Sequence, residues 1–327
     1  MQLVDVLEAM RCLGPFIHET PMIESTTFDR LTGAHLHFKL ENFQRTGSFK
    51  LRGALNKMMH LPVEQAARGI VAASAGNHAQ GVALSASKRG IKAKIFMPAA
   101  TPKAKVQATE AYGADVVLVG DSYQESYEAA AADRLASGAV FVHAFDDFEV
   151  MAGQGTVALE MLQQCPDLET VLVPIGGGGL AAGTATYLKN IRPDIRVIGV
   201  QSERAPSMFN LFYHTGPAKL EHVGGIAEGI LVKEAGRKTF PLIARFLDEV
   251  VTVSDSEIAR AIVLMLERGK LFVEGAGAAA FAAALSGRID IRGRHVGVMV
   301  SGGNADLENL PEIKKMAEGC ERAGLAE

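Results

Sequence analysis

The chain has 327 residues and a mass of 34.7 kDa, with 48% hydrophobic and 21% charged residues. These values are near those of globular proteins, so a disordered chain, a coiled coil and a collagen-like repeat are excluded, and the length predicts about two domains. Lys and Arg number 33 against 37 Asp and Glu, a net charge of −4, so no overall positive field favours binding to nucleic acid or to an anionic membrane.

Short apolar or β-branched runs alternate with helical patterns along almost the whole chain. This alternation predicts an α/β fold with open, twisted parallel sheets that are covered by helices on both faces. The predicted buried strands, in chain order, are 93–98, 114–120, 139–145, 170–176, 196–202, 250–254 and 295–302. No repeat or Pro-rich linker marks a domain boundary. We expect a small α/β domain at 48–148, inserted into a large domain formed by 1–47 and 149–327.

The helix after the predicted strand 250–254 has clear signals at both ends. Ser254 is a candidate N-cap, and Glu257 three residues later completes a capping box. Gly269 is expected to end the helix. The residues predicted on its buried face are Ile258, Ile262, Val263 and Leu266.

The cysteines and the first residues of the chain bear on the cellular compartment of the protein. Cys12, Cys165 and Cys320 are far apart, odd in number and outside any Cys-x-x-Cys pair, so neither a disulfide framework nor a zinc knuckle is predicted. Asp5 and Glu8 lie in the first turns without an apolar stretch, so no signal peptide is expected. The most apolar run, GAGAAAFAAAL, is shorter than the ~18 residues that span a bilayer. We therefore expect a cytoplasmic protein that does not enter a membrane.

The first candidate for chemistry is Lys50, in the segment ENFQRTGSFKLRGAL. It follows a Thr-Gly-Ser turn at a point where a helix is expected to begin. The positive end of the helix dipole lowers the pKa of an amine at this position and favours the neutral, nucleophilic form. Taken alone, an ordinary solvated lysine is the more common explanation of such a residue.

The second candidate is the turn in SAGNHAQGVAL, which follows the strand-like run GIVAA. Small residues and Asn77 directly after a strand would expose backbone N–H groups and an amide, which suit a carboxylate. The alternative is a plain helix start with Asn77 as its cap.

The third candidate is a run of four glycines, from Gly176 to Gly179, between a predicted buried strand and a small-residue helix. Only glycine lets several backbone N–H groups converge on a phosphate in front of a helix. The dinucleotide motif G-x-G-x-x-G fails because Ala181 and Ala182 stand where its last glycine would be, and no Gly-Lys-Ser/Thr completes a P-loop. The sequence predicts a phosphate-binding loop of neither nucleotide type, with a flexible turn as the alternative.

The fourth candidate is Ser301, in VGVMVSGGNAD, at the carboxyl end of a predicted buried strand. Open α/β sheets bind their ligands at such ends, and a strand-ending turn without a ligand is the alternative. His35 and His37 would share one face of another strand, but no carboxylate or third ligand is expected beside them. We therefore assign this histidine pair a structural role rather than a metal site.

Five motifs occur in order between about Glu41 and Asn304: ENFQRTGSFKLRGA, SAGNHAQGVA, VPIGGGGL, VEGAGAA and SGGN. Together they resemble the pyridoxal-phosphate enzymes of fold type II, the tryptophan synthase β-like class, and within it the serine/threonine dehydratase (threonine ammonia-lyase) family. One such motif would be weak support, whereas five in this order are specific. The resemblance implies a homodimer or homotetramer that uses pyridoxal 5′-phosphate on a small amino-acid substrate.

The resemblance also implies a role for individual residues. Lys50 would attach the cofactor covalently, and Phe49 would lie against the cofactor ring. Asn77 would bind the phenolic oxygen, Ser301 would face the pyridine nitrogen, and Glu274 would lie near the ring. The groups implied to bind the phosphate are Gly176, Gly177, Gly178, Gly179 and the backbone N–H of Leu180. The segment implied to bind the substrate comprises Ser74, Ala75, Asn77 and His78.

The implied serine beside the pyridine nitrogen has a chemical consequence. A neutral Ser301 would not force protonation of that nitrogen as an aspartate would, so the ring would be a weaker electron sink and a β-leaving group should depart promptly. Lys50, once free, would be the general base at the substrate Cα. The resemblance therefore implies dehydration and deamination of L-threonine or L-serine to a 2-oxo acid and ammonia.

Two positions bear on variants of this reaction. Related serine racemases carry a second serine where this chain has Ala75, and a base on one ring face alone predicts elimination with little racemisation. Some relatives bind a divalent cation beside the cofactor domain. Glu228 stands where many dehydratases have aspartate, so this analogy leaves a divalent cation open.

Several alternatives stay open from the sequence. Within the same fold, the substrate could be another β-hydroxy amino acid, such as 3-hydroxyaspartate or a product of hydroxyectoine breakdown, or the enzyme could be a serine racemase. From other classes, the chain could be a non-catalytic ligand sensor or a nucleotide-binding module. Lys50 and Ser301 together count against the sensor, and the failed nucleotide motifs count against the nucleotide module.

Overall fold

The computed structural model describes residues 1–324, and their strands form two separate sheets. The strands are β1 Met22–Glu24, β2 His35–Leu40, β3 Ile70–Ala73, β4 Ala93–Met97, β5 Asp115–Leu118, β6 Val140–Phe141, β7 Thr170–Pro174, β8 Arg196–Ser202, β9 Glu249–Val253 and β10 His295–Val300. The helices are α1 Leu3–Leu13, α2 Thr26–Thr32, α3 Lys50–Met59, α4 Val63–Ala67, α5 Asn77–Lys88, α6 Lys103–Glu110, α7 Tyr123–Ser137, α8 Phe148–Gln164, α9 Gly179–Ile191, α10 Ser207–Tyr213, α11 Thr239–Phe246, α12 Asp255–Leu264, α13 Gly275–Leu285 and α14 Leu310–Gly324. Within these residues, no helix has both the length and the apolar character needed to cross a membrane.

The larger sheet has six strands in the order β1-β2-β10-β7-β8-β9. All neighbouring strands are parallel except β1, which runs antiparallel to β2 at one edge. Apolar strands buried on both faces are typical of parallel sheets, because helices cover each side. The pairing confirms the predicted α/β fold with parallel sheets, apart from the three-residue strand β1, which the sequence pattern did not reveal.

The smaller sheet has four parallel strands in the order β5-β4-β3-β6. All four lie between residues 70 and 141, inside the segment expected to form the small domain. The boundaries 48–148 themselves stay a prediction, as does the large domain of 1–47 and 149–327. Residues 325–327 of that domain, and the side chain of Cys320, lie outside the described part of the chain.

The chain passes between the two sheets along helices α3 and α8. Helix α3 follows β2 of the larger sheet on the way to β3, and α8 follows β6 on the way back to β7. Glycines let these helices approach closely, since a Cβ atom on Gly153 would lie 2.5 Å from the carbonyl oxygen of Arg52 and 2.7 Å from the Cα of Gly53. A larger residue at this crossing would therefore push α3 and α8 apart.

The strand expected at 139–145 is shorter than predicted. Only β6 is extended, and the chain after Val142 turns into the loop that precedes α8. Phe145 lies in this loop, where its side chain packs against the glycine run. The apolar sequence therefore continues past β6 because of this tertiary contact and not because the strand continues.

The predicted capping box of α12 is confirmed: Ser254 accepts from the backbone N–H of Glu257, whose side chain accepts in turn from the Ser254 backbone. Helical structure ends at Gly269, as predicted, but its last five residues, Met265–Gly269, form a π-helical turn that continues α12. A π turn shifts the buried face by one residue, so Met265 is buried while Leu266 is exposed.

The histidines of β2 have neighbours that the sequence did not reveal. His37 Nε2 lies 3.0 Å from His295 Nδ1, and His37 Nδ1 lies 3.1 Å from Glu24 Oε1. The His35 ring stacks on that of His295 with centroids 4.9 Å apart. The expectation that no carboxylate or third ligand lies nearby is wrong, because β1 and β10 flank β2. Even so, no group of three or more His, Cys, Asp or Glu among the described side chains is arranged to hold a metal ion.

Candidate active site

The candidate residues lie where strands of both sheets end. Ser301 directly follows β10, the glycine run begins two residues after β7, and Ser74 directly follows β3. Parallel strands point their carboxyl ends toward the same edge of a sheet, and ligands of open α/β sheets bind there. The fold thus brings together motifs that are 197 residues apart in the chain, as the pairing of Asn77 with Glu274 illustrates.

Lys50 is the first residue of α3 and is directed into the protein. Its Nζ donates a hydrogen bond to the carbonyl oxygen of Ala144 at 2.9 Å and lies 5.3 Å from the centroid of the Phe49 ring. Burial lowers the pKa of the Lys50 amine to about 8, although the charge of Glu274 acts in the opposite direction. A lysine with this pKa is substantially neutral near pH 8 and can act as a nucleophile or base, unlike a solvated lysine.

The segment before α3 is fixed to the end of β10. The backbone N–H of Phe49 donates to the carbonyl oxygen of Ser301 at 3.1 Å, and Ser48 forms a β-bridge with Gly302. Ser301 is a buried residue, 3% exposed, and its hydroxyl donates to the carbonyl oxygen of Ala276 at 3.2 Å. Lys50, Phe49 and Ser301 are therefore held together by backbone contacts between α3 and the larger sheet.

The glycine run forms a tight loop at the start of α9. Gly178 has a φ of +98°, a left-handed conformation that side chains other than glycine rarely adopt. A Cβ atom on Gly177 would overlap the ring of Phe145, which also lies against Gly179. Phe145 is the residue after Ala144, whose carbonyl oxygen accepts the hydrogen bond from Lys50. The segment Ala144–Phe145 therefore contacts both the glycine loop and the lysine. Leu180, the second residue of α9, is buried beneath the loop.

Glu274, Asn77 and Asn304 form a polar chain beside Lys50. Asn77 Nδ2 donates to Glu274 Oε1 at 2.5 Å, and Asn304 Nδ2 donates to Asn77 Oδ1 at 2.6 Å and to the carbonyl oxygen of Thr46 at 2.8 Å. Asn77 caps no helix through its side chain, since Gly76 is the N-cap residue of α5. The capping alternative for Asn77 is therefore wrong.

The environment of Glu274 changes its titration. Burial raises the pKa of Glu274 to about 7, although the hydrogen bond from Asn77 acts in the opposite direction. A carboxyl group with this pKa exists in both protonation states near neutral pH, so it can donate or accept a proton. Asn304 was not among the residues singled out from sequence. The motif SGGN contained it, but no local pattern indicated its partner 227 residues earlier.

The turn before Asn77 contains the remaining predicted substrate residues. The Ser74 hydroxyl accepts from the backbone N–H of Gly76 at 3.2 Å, and Ala75 packs against the core of the smaller sheet. His78 Nε2 donates to the carbonyl oxygen of Val142 at 2.9 Å. Burial, with a further contribution from the Lys50 amine, lowers the pKa of His78 to about 3, so this ring is neutral near pH 7.

An ion pair at the same site joins α6, which packs on the smaller sheet's side, to a turn of the larger unit. Lys105 Nζ, on α6, lies 2.9 Å from Glu228 Oε2, which belongs to a 3-10 turn of the larger unit. Both side chains line a small cavity that also reaches Glu274 and Asn304. Glu228 is thus paired with a lysine, a contact that the sequence did not indicate. A divalent cation at Glu228 gains no support from the ligand groups of the described residues.

This chain is similar to proteins of one family in both sequence and structure. The family model described as pyridoxal-phosphate dependent enzyme matches residues 13–302. The L-threonine ammonia-lyase of Geobacter sulfurreducens is 50% identical over 94% of this chain and 77% of its own length. The processed form of threonine deaminase isoform 2 from Solanum lycopersicum superposes with a TM-score of 0.93 at 36% identity, over 97% of this chain and 87% of that one. Maize serine racemase superposes with a TM-score of 0.91 at 35% identity, over 99% of each chain.

Proposed function

Since this chain belongs to the family of pyridoxal-phosphate-dependent enzymes, we propose that it converts L-threonine and L-serine to the corresponding 2-oxo acid and ammonia. The proposal is supported by relatives named L-threonine ammonia-lyase or L-threonine dehydratase at 45–50% identity. The observation that carries it is the buried Lys50 amine, held beside the glycine loop and the Glu274–Asn77 pair. A base, an anion site and a polar pair in one place fit β-elimination from an amino acid.

The residues present fit the cofactor of the family. The loop at Gly177 and Gly178 has no room for side chains, so its backbone can approach a phosphate at the N-terminus of α9. Lys50 offers an amine of lowered pKa for covalent attachment. Ser301 offers a hydroxyl at the carboxyl end of β10. Pyridoxal phosphate, when bound, supplies an electron-accepting ring that stabilises negative charge at the substrate Cα.

The chain's own residues would divide the remaining work. Lys50 would take the proton from the substrate Cα, because its lowered pKa leaves a large neutral fraction under mildly alkaline conditions. Burial of its surroundings would exclude water and strengthen the electrostatic contacts within the site. We propose that the N-terminus of α5, with Ser74 and Asn77, receives the substrate carboxylate. His78, neutral and bonded to a backbone carbonyl, would orient this segment rather than contribute positive charge.

Serine racemisation is the second candidate, because maize serine racemase has the same fold over 99% of both chains. Racemisation needs a proton donor on each side of the substrate Cα, and Ala75 has no proton to give. We therefore propose elimination as the main reaction. A substrate with a larger or acidic side chain, such as 3-hydroxyaspartate, stays an alternative that a substrate comparison decides.

The test is the product formed from each β-hydroxy amino acid. We expect the holoenzyme to release a 2-oxo acid and ammonia in equal amounts from L-threonine and L-serine, faster than from 3-hydroxyaspartate. The 2-oxo acid is measured as its hydrazone and the ammonia enzymatically. Faster release from 3-hydroxyaspartate would move the proposal to that substrate, and a protein that holds pyridoxal phosphate without releasing any 2-oxo acid would contradict it.

Replacing Ala75 with serine tests the choice between elimination and racemisation. The wild-type protein should form little D-serine from L-serine, because no side-chain proton is available at this position. A75S restores a hydroxyl, and we expect slow D-serine formation beside continuing pyruvate release. Chiral chromatography of both reaction mixtures measures this, with the partly exposed Ala66→Ser on α4 as a control. Rapid D-serine formation by the wild type would show that Ala75 does not decide the reaction.

The proposal also covers the oligomeric state, the location and the domain boundary of the protein. We propose that the protein acts as a homodimer or homotetramer, which light scattering of the purified holoenzyme measures directly. We propose the cytoplasm as its location, in keeping with its partly buried free cysteines Cys12 and Cys165. We also propose that the small domain spans 48–148, a boundary that limited proteolysis would locate.

A further inference from the structure

A fully buried cluster of charged side chains lies directly beneath the start of α3. At its centre is Arg52, whose side chain is 0% exposed. Its Nε and Nη2 donate to the two carboxylate oxygens of Glu41, each at 2.8 Å. Its Nη1 and Nη2 donate to the two oxygens of Glu160 at 2.6 and 2.8 Å, and Nη1 also donates to Thr156 Oγ1 at 3.2 Å. All five N–H donors of the guanidinium group are therefore used.

The cluster is electrically balanced by Lys39. Lys39 Nζ lies 2.6 Å from Glu160 Oε2 and donates to the carbonyl oxygen of Thr20 at 2.5 Å. Burial alone would raise the pKa of Glu41, yet Arg52 holds it below its ordinary value, so this carboxyl group stays ionised. The two cations and two anions thus neutralise one another inside the protein.

The cluster joins the elements that surround the candidate active site. Lys39 lies on β2, Glu41 directly follows that strand, and Glu160 lies on α8. Arg52 lies two residues after Lys50, in the first turn of α3, and its backbone N–H donates to the carbonyl oxygen of Phe49 at 3.0 Å. One guanidinium group therefore connects the turn of α3 that carries Lys50 to the residue that follows β2 of the larger sheet and to α8.

We infer that Arg52 is a positioning residue for the proposed reaction: its two forked bonds, to Glu41 and to Glu160, fix the first turn of α3 and so the point from which Lys50 extends. This inference rests on the proposed role of Lys50. Lys50 has four rotatable side-chain bonds, so its amine is directed only if its backbone is fixed and its end is held. The Ala144 carbonyl holds the end, and Arg52 fixes the start.

Stability alone does not account for such a cluster. Removing four charges from water is costly, and apolar side chains of similar volume often stabilise a protein equally well. What apolar packing lacks is direction, whereas a planar guanidinium between two carboxylates accepts only one orientation. The cluster lies under the turn where directional precision matters, since small displacements of a reacting group reduce rates strongly.

The test compares R52K with K57M. Arg52→Lys keeps the positive charge but loses both forked geometries. Lys57 is the matched control, because it also lies on α3 and pairs with Asp147 at 3.0 Å at the far end of the contact with α8. The cofactor is removed from each purified protein, pyridoxal phosphate is added back, and its attachment to Lys50 is followed by visible absorbance and by mass after borohydride reduction.

We expect R52K to attach the cofactor about tenfold or more slowly than the wild type, and K57M to attach it at nearly the wild-type rate. The midpoint of the pH dependence of attachment should also rise in R52K. The substitution conserves charge, so a higher midpoint reports that the Lys50 amine has moved to a more solvated position. Glu274, His78 and His143 face this amine and are the same in all three proteins.

Each outcome separates the inference from the function it rests on. If the wild type does not attach pyridoxal phosphate at Lys50, the proposed function fails. If the wild type does so and R52K matches it in attachment rate and in pH midpoint, the positioning role fails. It also fails if K57M loses as much thermal stability as R52K and slows attachment by the same factor. Should R52K not fold, T156V keeps both carboxylate forks of Arg52 and removes its 3.2 Å bond to the Thr156 hydroxyl, together with the bond of that hydroxyl to the Gly153 carbonyl. We expect T156V to slow attachment in the same direction by a smaller factor.

Discussion

Lys50→Ala is expected to abolish turnover rather than raise KM. Covalent attachment of the cofactor and the base at the substrate Cα both depend on the same amine, so one substitution removes both. We expect a loss in kcat of at least about 10³-fold, the upper part of the range for loss of a general base. Removing the buried amine also leaves the Ala144 carbonyl without its donor, but the fold should persist because Phe49 stays bonded to Ser301.

Borohydride reduction of the wild-type holoenzyme, followed by peptide mapping, checks the same assignment by a different route. The pyridoxyl mass should appear on Lys50. Lys57, on the same helix, is the informative competitor, because its ion pairs with Glu149 and Asp147 keep it away from the site. Against the effect of burial, these two carboxylates raise the pKa of its amine above the ordinary value. A pyridoxyl group on Lys57, or on no lysine, would contradict the assignment.

Gly178→Val is expected to prevent cofactor binding while leaving most secondary structure intact. The φ of +98° at Gly178 disfavours a branched residue by ~1–3 kcal/mol. A Cβ atom there would also lie 2.7 Å from Ile243 Cδ1 and 2.9 Å from Thr239 Oγ1. The loop must therefore move, and its backbone N–H groups would no longer converge at the N-terminus of α9.

The measurement is the dissociation constant of pyridoxal phosphate, which we expect to rise at least about tenfold for the loss of one or two anion contacts. Far-UV circular dichroism should change little. Gly293→Val is a suitable control, because Gly293 also has a positive φ, +72°, but a Cβ atom on it would meet no atom within 4 Å. Normal cofactor affinity in G178V would count against a phosphate role for this loop.

Much of the candidate site was visible in the sequence because its chemistry requires particular residues in short stretches. A close approach of backbone to an anion needs consecutive glycines, which is why Gly176 to Gly179 stood out. Lys50 was recognisable because it follows a turn at a helix start. Strands such as β7 and β10 were recognisable because they are buried on both faces and therefore almost wholly apolar.

Other parts of the site depend on contacts that no local pattern encodes. The Ala144 carbonyl binds Lys50 through its backbone, so its residue type carries no signal. The pairing of Asn304 with Asn77, and that of Lys105 with Glu228, joins residues more than 120 positions apart. Arg52 resembled an ordinary helical charge, since only the fold brings Glu160 to it. The π-helical turn after α12, in which Met265 is buried, likewise had no sequence signal.

The location of β2 in the larger sheet has a consequence for the order in which the protein folds. Strand β2 pairs with β10, which is synthesised about 260 residues later, whereas the four strands of the smaller sheet are contiguous in the chain. Contacts between distant segments form slowly because they close long loops. In pulsed hydrogen exchange during refolding, β3 and β4 should gain protection before β2 and β10, and the reverse order would contradict this. Until β10 arrives, one edge of β2 stays open to other chains, so the nascent protein is most prone to aggregate while its smaller half is already formed.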